Sequence, residues 1–600
     1  MTARNAPCHC GSGKKFKHCH GLLAPPAGTA QARPNAQYFE GVRLQLSGQL
    51  ELAVSAYKEA IRLSDPAFSA NAADGEAALD VAAAAQACET AAGEYPGSRQ
   101  LQQAGMYACT AELELLERSL LAWEAKAPDA FSSPPSAHAV NFSDNWYNLG
   151  CAALANFTGS DRRIQLFHQA LALNPDNILA RMNSVFSLNY STSATARDIA
   201  QAHRDCGAWL EQHLRQPAQV FTQVFNTSRD SNRPLRIGYL SSDCRNHPVA
   251  HFILPVLEHH DRNRFEVYLY YNHEQVDETT RRAQRLVKQF HFVQALPDAA
   301  LRSAIMADGI DILIDLNGYT KGNRLVVLAM RAAALQMTWI GYPNTTGLQS
   351  VDYRIVDEVT DPPDDARELC SEKLLHMPGA FSVYQPGGNL PDVAPSPSLK
   401  SGYITFGSFN SMAKLNTALL HTWAEILHGV KDSRLLLKNI ALGYAAPGQE
   451  ILAAFAQLGI NAGRVELLGV VADKQSHLET YARVDISLDS FPYNGTTTTC
   501  ESLIMGVPVV SRAGKDHRSR VGASLLAGLG LGSLVENSAS GYIRAAIGLA
   551  GNPEQLVALR TGLRQRMLSS PLMDASSFTR ELESRLMQCW EKLMVQEGNA

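Results

Sequence analysis

Two different spacings of apolar residues divide the chain into two long regions. From residue 38 to about residue 216, apolar residues and alanines recur three and four positions apart, with few β-branched runs, which predicts helices. From about residue 234 onwards, short runs of β-forming residues alternate with helical stretches, which predicts sheets. The predicted strands comprise residues 235–240, 265–271, 310–316, 336–342, 353–356, 403–409, 434–437, 465–470, 485–489 and 508–511.

The strand and helix alternation of the second region stops and then starts again. A stretch rich in Pro, Gly and Ser, residues 386–402, separates the two series. Strands that alternate with helices predict parallel sheets covered on both faces, and the restart predicts two of them. The predicted fold class is therefore α/β, with two Rossmann-like, doubly wound lobes at residues 234–390 and 402–600. The expected ligand of such a pair is a nucleotide at the carboxyl ends of the strands.

The helical region, residues 38–216, has patterns typical of tetratricopeptide repeats. Residues 38–66 and 145–175 each combine small and aromatic residues with a proline at the end of the second helix. The intervening sequence is degraded, so a generic helical bundle remains an alternative for residues 67–140. In either case a helical array presents a surface on which we expect other proteins to dock.

The first 21 residues form a unit of their own, and a linker rich in Ala and Pro follows at residues 22–37. Cysteine and histidine pairs flank a tight, glycine-containing loop, and such thiolate and imidazole donors can close tetrahedrally on zinc. The expected zinc ligands are Cys8, Cys10, Cys19 and His20. His9 and His18 are alternatives to His20 as the fourth ligand. The segment resembles the small zinc motif at the C-terminal tail of the SecA translocation motor, which implies structural zinc and a protein-docking role.

Composition narrows the class of function and the compartment. The formal charge of −5 and the 18% of charged residues give no broad basic field for nucleic acid phosphates. No apolar run reaches the roughly 18 residues of a spanning helix, and the N-terminus lacks the apolar core of a secretory signal. Several of the 11 cysteines lie in patterns of helix interior, which argues against a disulfide framework. We therefore expect a cytoplasmic protein that binds neither nucleic acid nor a membrane.

One segment has the residues expected of a phosphate-binding loop. The chain has no Gly-x-Gly-x-x-Gly after its first strand and no Walker-type sequence, which weakens dehydrogenase and phosphate-loop hypotheses. Residues 489–501, DSFPYNGTTTTCE, instead lead from a strand into a helix through Gly495 and four threonines. Free backbone N–H groups, hydroxyls and the positive end of a helix dipole suit a diphosphate, and Glu501 lies a turn further on for a ribose. A threonine-rich helix cap with only a structural role is the alternative.

Several longer segments occur in the order and spacing of one known family. They are residues 238–243, 246–248, 315–322, 339–343, 352–354 and 494–501. These segments resemble the O-linked N-acetylglucosamine transferase family, over about residues 234–590, and the preceding helical repeats are arranged similarly. The resemblance implies a GT-B fold and an inverting transfer without a catalytic metal. It also implies UDP-N-acetylglucosamine as the donor and Ser or Thr hydroxyls of proteins, bound through the repeats, as acceptors.

The resemblance also assigns the site residues of the second lobe. Lys414 lies where the family's lysine neutralises the departing diphosphate, and a fixed ammonium stabilises that charge without magnesium. His477 matches a histidine beside the nucleotide, and Glu501 replaces an aspartate expected on the ribose. Thr496 lies where animal relatives have a histidine. The other expected nucleotide-sugar contacts are Ala472, Lys474, Asn494, Gly495, Thr497 and Thr498.

The resemblance does not fix the general base. His247 aligns with the family's histidine near the sugar, and imidazole has a pKa suited to taking a hydroxyl proton. Asp308 aligns with another proposed base, and the α-phosphate of the donor is a third candidate. Asn317 and Tyr319 are expected to line the cleft floor, although an Asn-Gly turn is also found in purely structural roles.

Other functions share part of this pattern. Residues 315–322 resemble the acetylglucosamine-transferring branch more than the plant-type protein O-fucosyltransferases, which have a histidine near Tyr319. A bacterial N-glucosyltransferase branch has the same fold and modifies asparagine. A repeat scaffold with an inactive transferase domain and a UDP-sugar epimerase are the remaining alternatives, but Lys414, His477 and Glu501 argue against inactivity.

Overall fold

Short, buried strands in parallel pairing organise most of the chain. In each of the strands Leu235–Ser241 and Phe265–Tyr271, all residues but one are buried, as expected of strands covered by helices on both faces. The computed structural model describes residues 160–213, 233–443 and 445–598, together with Ser143, Trp146, Tyr147, Gly150 and Cys151.

The described residues around Trp146 and Phe167 form a small helical packing unit. Phe167 belongs to helix α1, Ser160–Leu173, and both aromatic side chains are buried. A Cβ on Gly150 would lie 2.5 Å from Cε1 of Phe167, so only glycine allows this close approach. Close packing through a small residue is what the repeat pattern predicts here. The zinc motif, the linker and the repeats before Ser143 lie outside the described residues.

The first sheet has seven parallel strands. They are β1 Leu235–Ser241, β2 Phe265–Tyr271, β3 Gln289–Phe292, β4 Ile312–Asp315, β5 Leu335–Thr338, β6 Tyr353–Asp357 and β7 Lys373–Met377. Their order is β3-β2-β1-β4-β5-β6-β7, so the chain reverses its direction across the sheet between β1 and β4. Ligands of doubly wound sheets bind at this reversal, beyond the carboxyl ends of the strands.

Six helices accompany the first sheet. They are α2 Ile178–Leu188, α3 Ala196–His213, α4 Ala250–His259, α5 Glu278–Arg285, α6 Asp298–Ala307 and α7 Leu325–Ala329. Helices α2 and α3 belong to the sequence assigned above to the repeats, but their apolar residues share a buried cluster with Leu313 and Tyr342 of the first lobe. The last part of the helical region therefore packs as part of this lobe.

The second sheet repeats the same plan with six strands. They are β8 Thr405–Ser408, β9 Arg434–Lys438, β10 Val465–Leu468, β11 Ile486–Leu488, β12 Val509–Arg512 and β13 Val535–Glu536. Their order is β10-β9-β8-β11-β12-β13, which places a second reversal between β8 and β11. The helices of this part are α8 Ser398–Ser401, α9 Thr417–Gly429, α10 Ala445–Gln457, α11 Lys474–Glu479, α12 Thr497–Ile504, α13 Val521–Gly528, α14 Ala539–Ala550, α15 Pro553–Leu568 and α16 Ala575–Gly598.

Helix α16 follows the second sheet in sequence but packs against the first. Phe578, Leu586 and Trp590 belong to the buried cluster that contains the inner residues of β1 and β2. The buried Glu583 accepts hydrogen bonds from the backbone N–H of Asp261, at 2.8 Å, and lies 2.9 Å from the His260 ring. The final helix is therefore part of the first lobe's core, and the lobes are not contiguous segments of sequence.

Buried polar contacts join the two lobes directly. Asp361, beyond β6, forms an ion pair with Arg354 at 3.1 Å and with His517 of the second lobe. The Ser524 hydroxyl of α13 donates to Asp357 across the same junction. These bonds fix the carboxyl end of β6 against the start of α13.

The α/β class with two Rossmann-like lobes is confirmed. Each predicted strand overlaps an observed one, whereas β3, β7 and β13 were not predicted. All three lie at the edge of a sheet. Within the residues described, none of the helices has both the length and the apolar character needed to span a membrane.

Candidate active site

The reversal of the second sheet brings two loops together at the carboxyl ends of β8 and β11. The loop after β8 carries Lys414, at the end of the short 3₁₀ turn Met412–Lys414. The loop after β11 carries Asn494 and leads into α12. The Lys414 ammonium donates to the Asn494 carbonyl at 2.6 Å, so these two loops meet at their functional residues.

Lys414 is a desolvated cation. Its Nζ lies 4.0 Å from the centre of the Tyr493 ring, a distance suited to a cation–π interaction. Burial lowers the pKa of Lys414 to about 8, and the nearby Asp489 carboxylate opposes that shift. An anion bound beside the ammonium would restore its usual pKa, so the site favours a negatively charged ligand or leaving group.

Asp489 holds the loop after β11 in place. Its carboxylate accepts from the backbone N–H groups of Ser490, at 2.9 Å, and Gly495, at 2.7 Å, and from the Ser511 hydroxyl at 2.6 Å. Burial raises the pKa of Asp489 to about 6 in spite of these bonds. Asn494 is also buried and donates from its side chain to the Ser490 carbonyl at 2.8 Å. The hydrogen bonds within this loop therefore fix the Asn494 carbonyl in its orientation towards Lys414.

Helix α12 begins at this loop with the threonine run. A Cβ on Gly495 would lie 2.6 Å from the Thr498 hydroxyl, so the helix tip needs glycine at this position. The Thr498 hydroxyl donates to the Asn410 amide oxygen at 3.2 Å, and Thr497 is half-buried at the first position of the helix. The first N–H groups of a helix and its dipole favour an anion at this end.

Glu501, one turn into α12, is the centre of a charged cluster. Its buried carboxylate contacts the Lys474 ammonium and lies 2.9 Å from Nε2 of His477. Burial alone would raise the pKa of Glu501, but the His477 hydrogen bond and the Lys474 charge lower it to about 2. Lys438 lies 2.7 Å from Nδ1 of His477. Since an ammonium only donates, Nδ1 accepts that bond and Nε2–H points to Glu501.

An aromatic wall lies beside this cluster. The Phe409 ring centre is 6.1 Å from that of His477 and 4.5 Å from that of Tyr481. Ala472 is exposed and lies just before Asp473, which caps α11 by accepting from the Ser476 N–H at 2.7 Å. The structure thus brings the expected residues of the second lobe together around α11 and the start of α12.

The first lobe contributes a second group at its own reversal, after β1 and β4. The buried Asn317 accepts from the Ser242 N–H at 2.8 Å and donates to the Asp243 carboxylate at 3.0 Å, which ties the two loops together. The His247 Nδ1 lies 3.6 Å from the Asp243 carboxylate, and its ring is partly exposed. His251 lies one turn later. Burial has the largest effect on the pKa of its ring and lowers it, and the charges of Lys474 and Glu501 are close enough to act on the same pKa. The His247 loop therefore lies on the side of the first lobe that faces the charged cluster.

Tyr319 and Asp308 lie elsewhere in the first lobe. Tyr319 is buried, its hydroxyl donates to the Thr346 carbonyl at 2.9 Å, and its ring packs edge-on against His203. Asp308 precedes β4, and its carbonyl accepts from Arg236 at the start of β1. Its backbone therefore lies near the amino ends of β1 and β4, and its carboxylate accepts from the Tyr270 hydroxyl at 2.7 Å and lies 3.2 Å from Nε2 of His291. The structure thus places Asp308 away from the His247 loop, which follows the carboxyl end of β1.

Some residues of the site were not predicted from the sequence. They are Lys438, Asn410, Phe409, Tyr481 and Tyr493. Lys438 is the most informative of them, because a lysine directly after the buried residues of β9 marks the carboxyl end of a strand beside the reversal. That combination of an apolar strand and a terminal lysine is visible in the sequence.

The N-terminal zinc ligands cannot be placed in this geometry. Cys8, Cys10, Cys19 and His20 lie outside the described residues. Among the residues that the structure does describe, no group of three or more His, Cys, Asp or Glu side chains has the arrangement of a metal site. The sequence itself matches the SEC-C motif at residues 4–22.

Known proteins similar to this chain include plant and bacterial transferases. The probable UDP-N-acetylglucosamine–peptide N-acetylglucosaminyltransferase SPINDLY of Oryza sativa subsp. japonica is 39% identical over 433 residues, which cover 72% of this chain and 46% of that protein. The probable transferase SEC of Arabidopsis thaliana is 34% identical over 59% of this chain and 37% of its own length. The chain thus spans less than half the length of these curated relatives.

A solved structure and a family model agree with this similarity. A mutant of the Thermobaculum terrenum O-GlcNAc transferase has a TM-score of 0.75 and 30% identity, over 95% of this chain and all of that one. The sequence model of glycosyl transferase family 41 matches residues 164–389 and 396–582, which include both reversals and every charged group of the candidate site. The chain therefore belongs to glycosyl transferase family 41.

Proposed function

We propose that this chain is an inverting glycosyltransferase that moves N-acetylglucosamine from UDP-N-acetylglucosamine to Ser or Thr hydroxyls of proteins. The observation that carries the proposal is the meeting of Lys414 with the start of α12 at the reversal of the second sheet. A diphosphate placed there would have a cation on one side and free helix N–H groups on the other. The name of the plant relative supports the donor and the peptide acceptor, and the name of the bacterial relative supports the sugar.

The residues have separate roles in this reaction. The acceptor oxygen attacks the anomeric carbon while the bond to the β-phosphate oxygen of UDP breaks, which inverts the configuration. Lys414 and the start of α12 stabilise the negative charge that develops on the departing diphosphate. Thr497 and Thr498 supply hydroxyls at the same helix tip, and Gly495 allows the close backbone approach.

Glu501 and its partners form the nucleoside side of the proposed site. The two carboxylate oxygens contact Lys474 and His477, so a ribose would have to share or replace those contacts. Lys438 keeps the His477 ring in a fixed orientation from its other nitrogen. Ala472 and Lys474, at the start of α11, are exposed for contact with the base.

We propose His247 as the general base that takes the proton of the acceptor hydroxyl. The buried Asp243 carboxylate, 3.6 Å from its Nδ1, would stabilise the imidazolium that forms. Asp308 is not part of this proposal, because it lies at the opposite edge of the sheet. Asn317 joins the loops after β1 and β4 by hydrogen bonds, and Tyr319 packs inside the first lobe. Both are therefore positioning residues.

The N-terminal regions complete the proposal. We assign acceptor proteins to the helical repeats and a docking role to the SEC-C motif, with structural zinc on Cys8, Cys10, Cys19 and His20. We also place the protein in the cytoplasm. The four buried cysteines of the described residues, Cys206, Cys244, Cys500 and Cys589, are free thiols, as expected in a reducing compartment.

The test measures donor binding and product separately. Calorimetry should detect binding of UDP to the purified chain, and label from UDP-N-acetylglucosamine should appear in acid-precipitable protein. Mass spectrometry of the product should give the mass of N-acetylhexosamine on Ser or Thr. Parallel reactions with UDP-glucose and GDP-fucose test the other transferases, and label confined to free nucleotides would indicate an epimerase. A folded protein that does not bind UDP would refute the proposal.

A further inference from the structure

A second cavity lies on the other side of the loop that holds Lys414. It has a volume of about 510 Å³ and is bounded by residues 191–196, the start of α9 and the loop after β12. Asn416 and Phe491, which line it, belong to the loops that carry Lys414 and Asn494, and the Asn416 amide donates to the Phe491 carbonyl at 2.8 Å. Neither the residues of the proposed reaction nor those of the charged cluster line this cavity.

The charged groups of the cavity wall are mostly cationic. Arg512, Lys515, Arg518 and Asp516 all line it. The Asp516 carboxylate is committed to Arg518, whose Nε lies 2.9 Å away. Arg518 also donates to the Leu188 carbonyl at 2.8 Å, so it is a structural residue of the wall. Within the part of the chain that the structure describes, Arg512 and Lys515 form no ion pair, which leaves two cations without a counter-ion.

Arg512 is the more informative of these two cations. Its guanidinium carbon lies 3.9 Å from the centre of the Phe491 ring, and its Nε is out of contact with solvent without a hydrogen-bond partner. Burial lowers the pKa of Arg512, and no neighbouring carboxylate offsets that effect. A cation–π contact compensates only part of the lost hydration, whereas an oxyanion would supply the missing acceptor. The arginine is therefore poised for an anion.

We propose that this cavity binds the oxyanion group of a small phosphorylated molecule, between Arg512 and Lys515. A planar guanidinium binds phosphate through two parallel hydrogen bonds, and Lys515 is exposed at the mouth for a second charge contact. Leu419, Phe491 and Pro492 give the cavity an apolar wall for the body of such a molecule. The volume lies within the roughly 300–1,000 Å³ of small-molecule sites.

Occupancy of this cavity would act on the shared loop. Phe491 contacts Arg512 on the cavity side, and three residues later the Asn494 carbonyl holds Lys414 on the other side. A bound oxyanion would restrain the loop from the cavity side and would not contact the donor. The binding itself does not depend on the proposed transfer reaction, so the two can be tested separately.

The test uses inorganic phosphate as the probe and thermal unfolding of the full chain as the readout. Sodium phosphate should raise the melting temperature in a saturable way beyond sodium chloride of equal ionic strength, and the response should persist with saturating UDP present. Arg512→Gln should weaken the apparent affinity about tenfold or more. Lys515→Gln, a change at an exposed position, should weaken it less.

Two control variants locate the phosphate. Arg434→Gln removes a guanidinium that lies 4.3 Å from the Tyr403 ring, away from the cavity, and should keep the full response. Lys414→Ala should keep it as well. A response that disappears with UDP or with Lys414→Ala would place phosphate in the donor site and overturn the proposal. Equal responses in the wild type, Arg512→Gln and Lys515→Gln, or no response beyond that to chloride, would overturn it too.

Discussion

Lys414 has an unusually low pKa for a lysine because the protein removes water from it without supplying a full counter-charge. Its nearest partners are a carbonyl and an aromatic ring, and Asp489 acts only from a distance. The free protein therefore keeps an ammonium whose charge is poorly compensated. A diphosphate would compensate that charge on binding, so ligand binding and protonation of Lys414 should be coupled.

This coupling predicts a pH dependence of transfer. In the free protein the pKa of Lys414 is about 8, so the active ammonium is lost as the pH rises through that value. We expect kcat/KM, which reports the free protein, to fall above about pH 8. The bound donor raises the pKa, so kcat should fall only at higher pH. Initial rates over pH 6–10, at low and at saturating donor concentration, would give the pH dependence of kcat/KM and of kcat. If both fell at the same pH, the coupling of donor binding to protonation of Lys414 would be contradicted.

Removal of the Lys414 side chain is the direct test of its role. We expect Lys414→Ala to lower transfer by at least about 100-fold, because a preorganised charge next to the leaving group is lost. The circular dichroism spectrum should be unchanged, since the side chain's contacts are one hydrogen bond and one ring. Near-normal turnover in a folded variant would show that another group stabilises the diphosphate.

The structure brings together most of the site residues expected in the second lobe but fewer of those expected in the first. At the reversal of the second sheet, Lys414 follows a strand, and His477 and Glu501 lie near the starts of helices. The sequence pattern that marks these ends of elements therefore also marks the candidate site. Asp308 is also a charged residue in a loop, but it precedes its strand, and its backbone lies at the other edge of its sheet. Which edge a loop occupies depends on strand direction, and a residue's type and neighbours do not encode it.

At the scale of elements, the loop from β11 to α12 is held by packing from α13. A Cβ on Gly522 of α13 would lie 2.5 Å from the Asp489 carboxylate and 2.2 Å from the Ser511 hydroxyl. Three hydrogen bonds fix that carboxylate, so it cannot move aside without releasing the loop. The glycine is thus required by the close approach of a helix to a buried acid.

A pair of glycine variants tests this arrangement. Gly522→Ala should destabilise the protein by about 1–3 kcal/mol through overpacking and should weaken UDP binding. Gly548→Ala, inside α14 with no atom near its Cβ position, should instead stabilise it by about 0.5–1 kcal/mol and leave UDP binding unchanged. Urea unfolding and calorimetry give both quantities. Equal effects of the two substitutions would contradict the role of Gly522.

Prediction of elements failed only at the sheet edges. The interior strands are apolar along nearly their whole length because helices cover both faces, and such runs are visible in a sequence. Strand β3, QFHF, and strand β7, KLLHM, contain polar residues and are partly exposed, as edge strands are. Strand β13 has two residues. These three edge strands form because they pair with a neighbouring strand, so their own sequences show little of the apolar pattern that predicts a strand.

At the scale of the whole molecule, the Asp361 junction ties the lobes through a buried ionic cluster. Burial would raise the pKa of Asp361, but the charges of Arg354 and His517 outweigh burial and lower it well below its usual value. A carboxyl group with a lowered pKa stabilises the folded protein above the unfolded pKa of about 3.9, and this contribution is lost as the pH falls through and below that value.

Asp361→Asn should therefore destabilise the protein by about 3–5 kcal/mol at pH 7, since Arg354 would be left buried without its counter-ion. The difference from the wild type should shrink in acid. Glu368→Gln is the matched control, because the Glu368–Arg197 pair is exposed and should contribute within about 0.5 kcal/mol. Thermal unfolding at pH 7 and at about pH 2, below the unfolded pKa of a carboxyl group, would measure both. A difference that is the same at both pH values would contradict the ionic explanation.

The SEC-C segment is predicted to act independently of catalysis. Cys10→Ser should release zinc, measured by elemental analysis, because a thiolate ligand is lost. Transfer to a short peptide should change little, since the matched family region begins only at residue 164. Parallel loss of zinc and of peptide transfer would show that this segment supports the catalytic lobes.

The position of α16 also bears on how the protein is made. A ribosome completes β1 to β7 long before it reaches the 24 residues of α16 that cover part of that sheet. Until then the inner face of the nascent first lobe lacks Phe578, Leu586 and Trp590, and the His260 ring lacks Glu583. We therefore expect the first lobe to complete its core only after α16 has been synthesised, and its uncovered apolar face to be a target for chaperones until then.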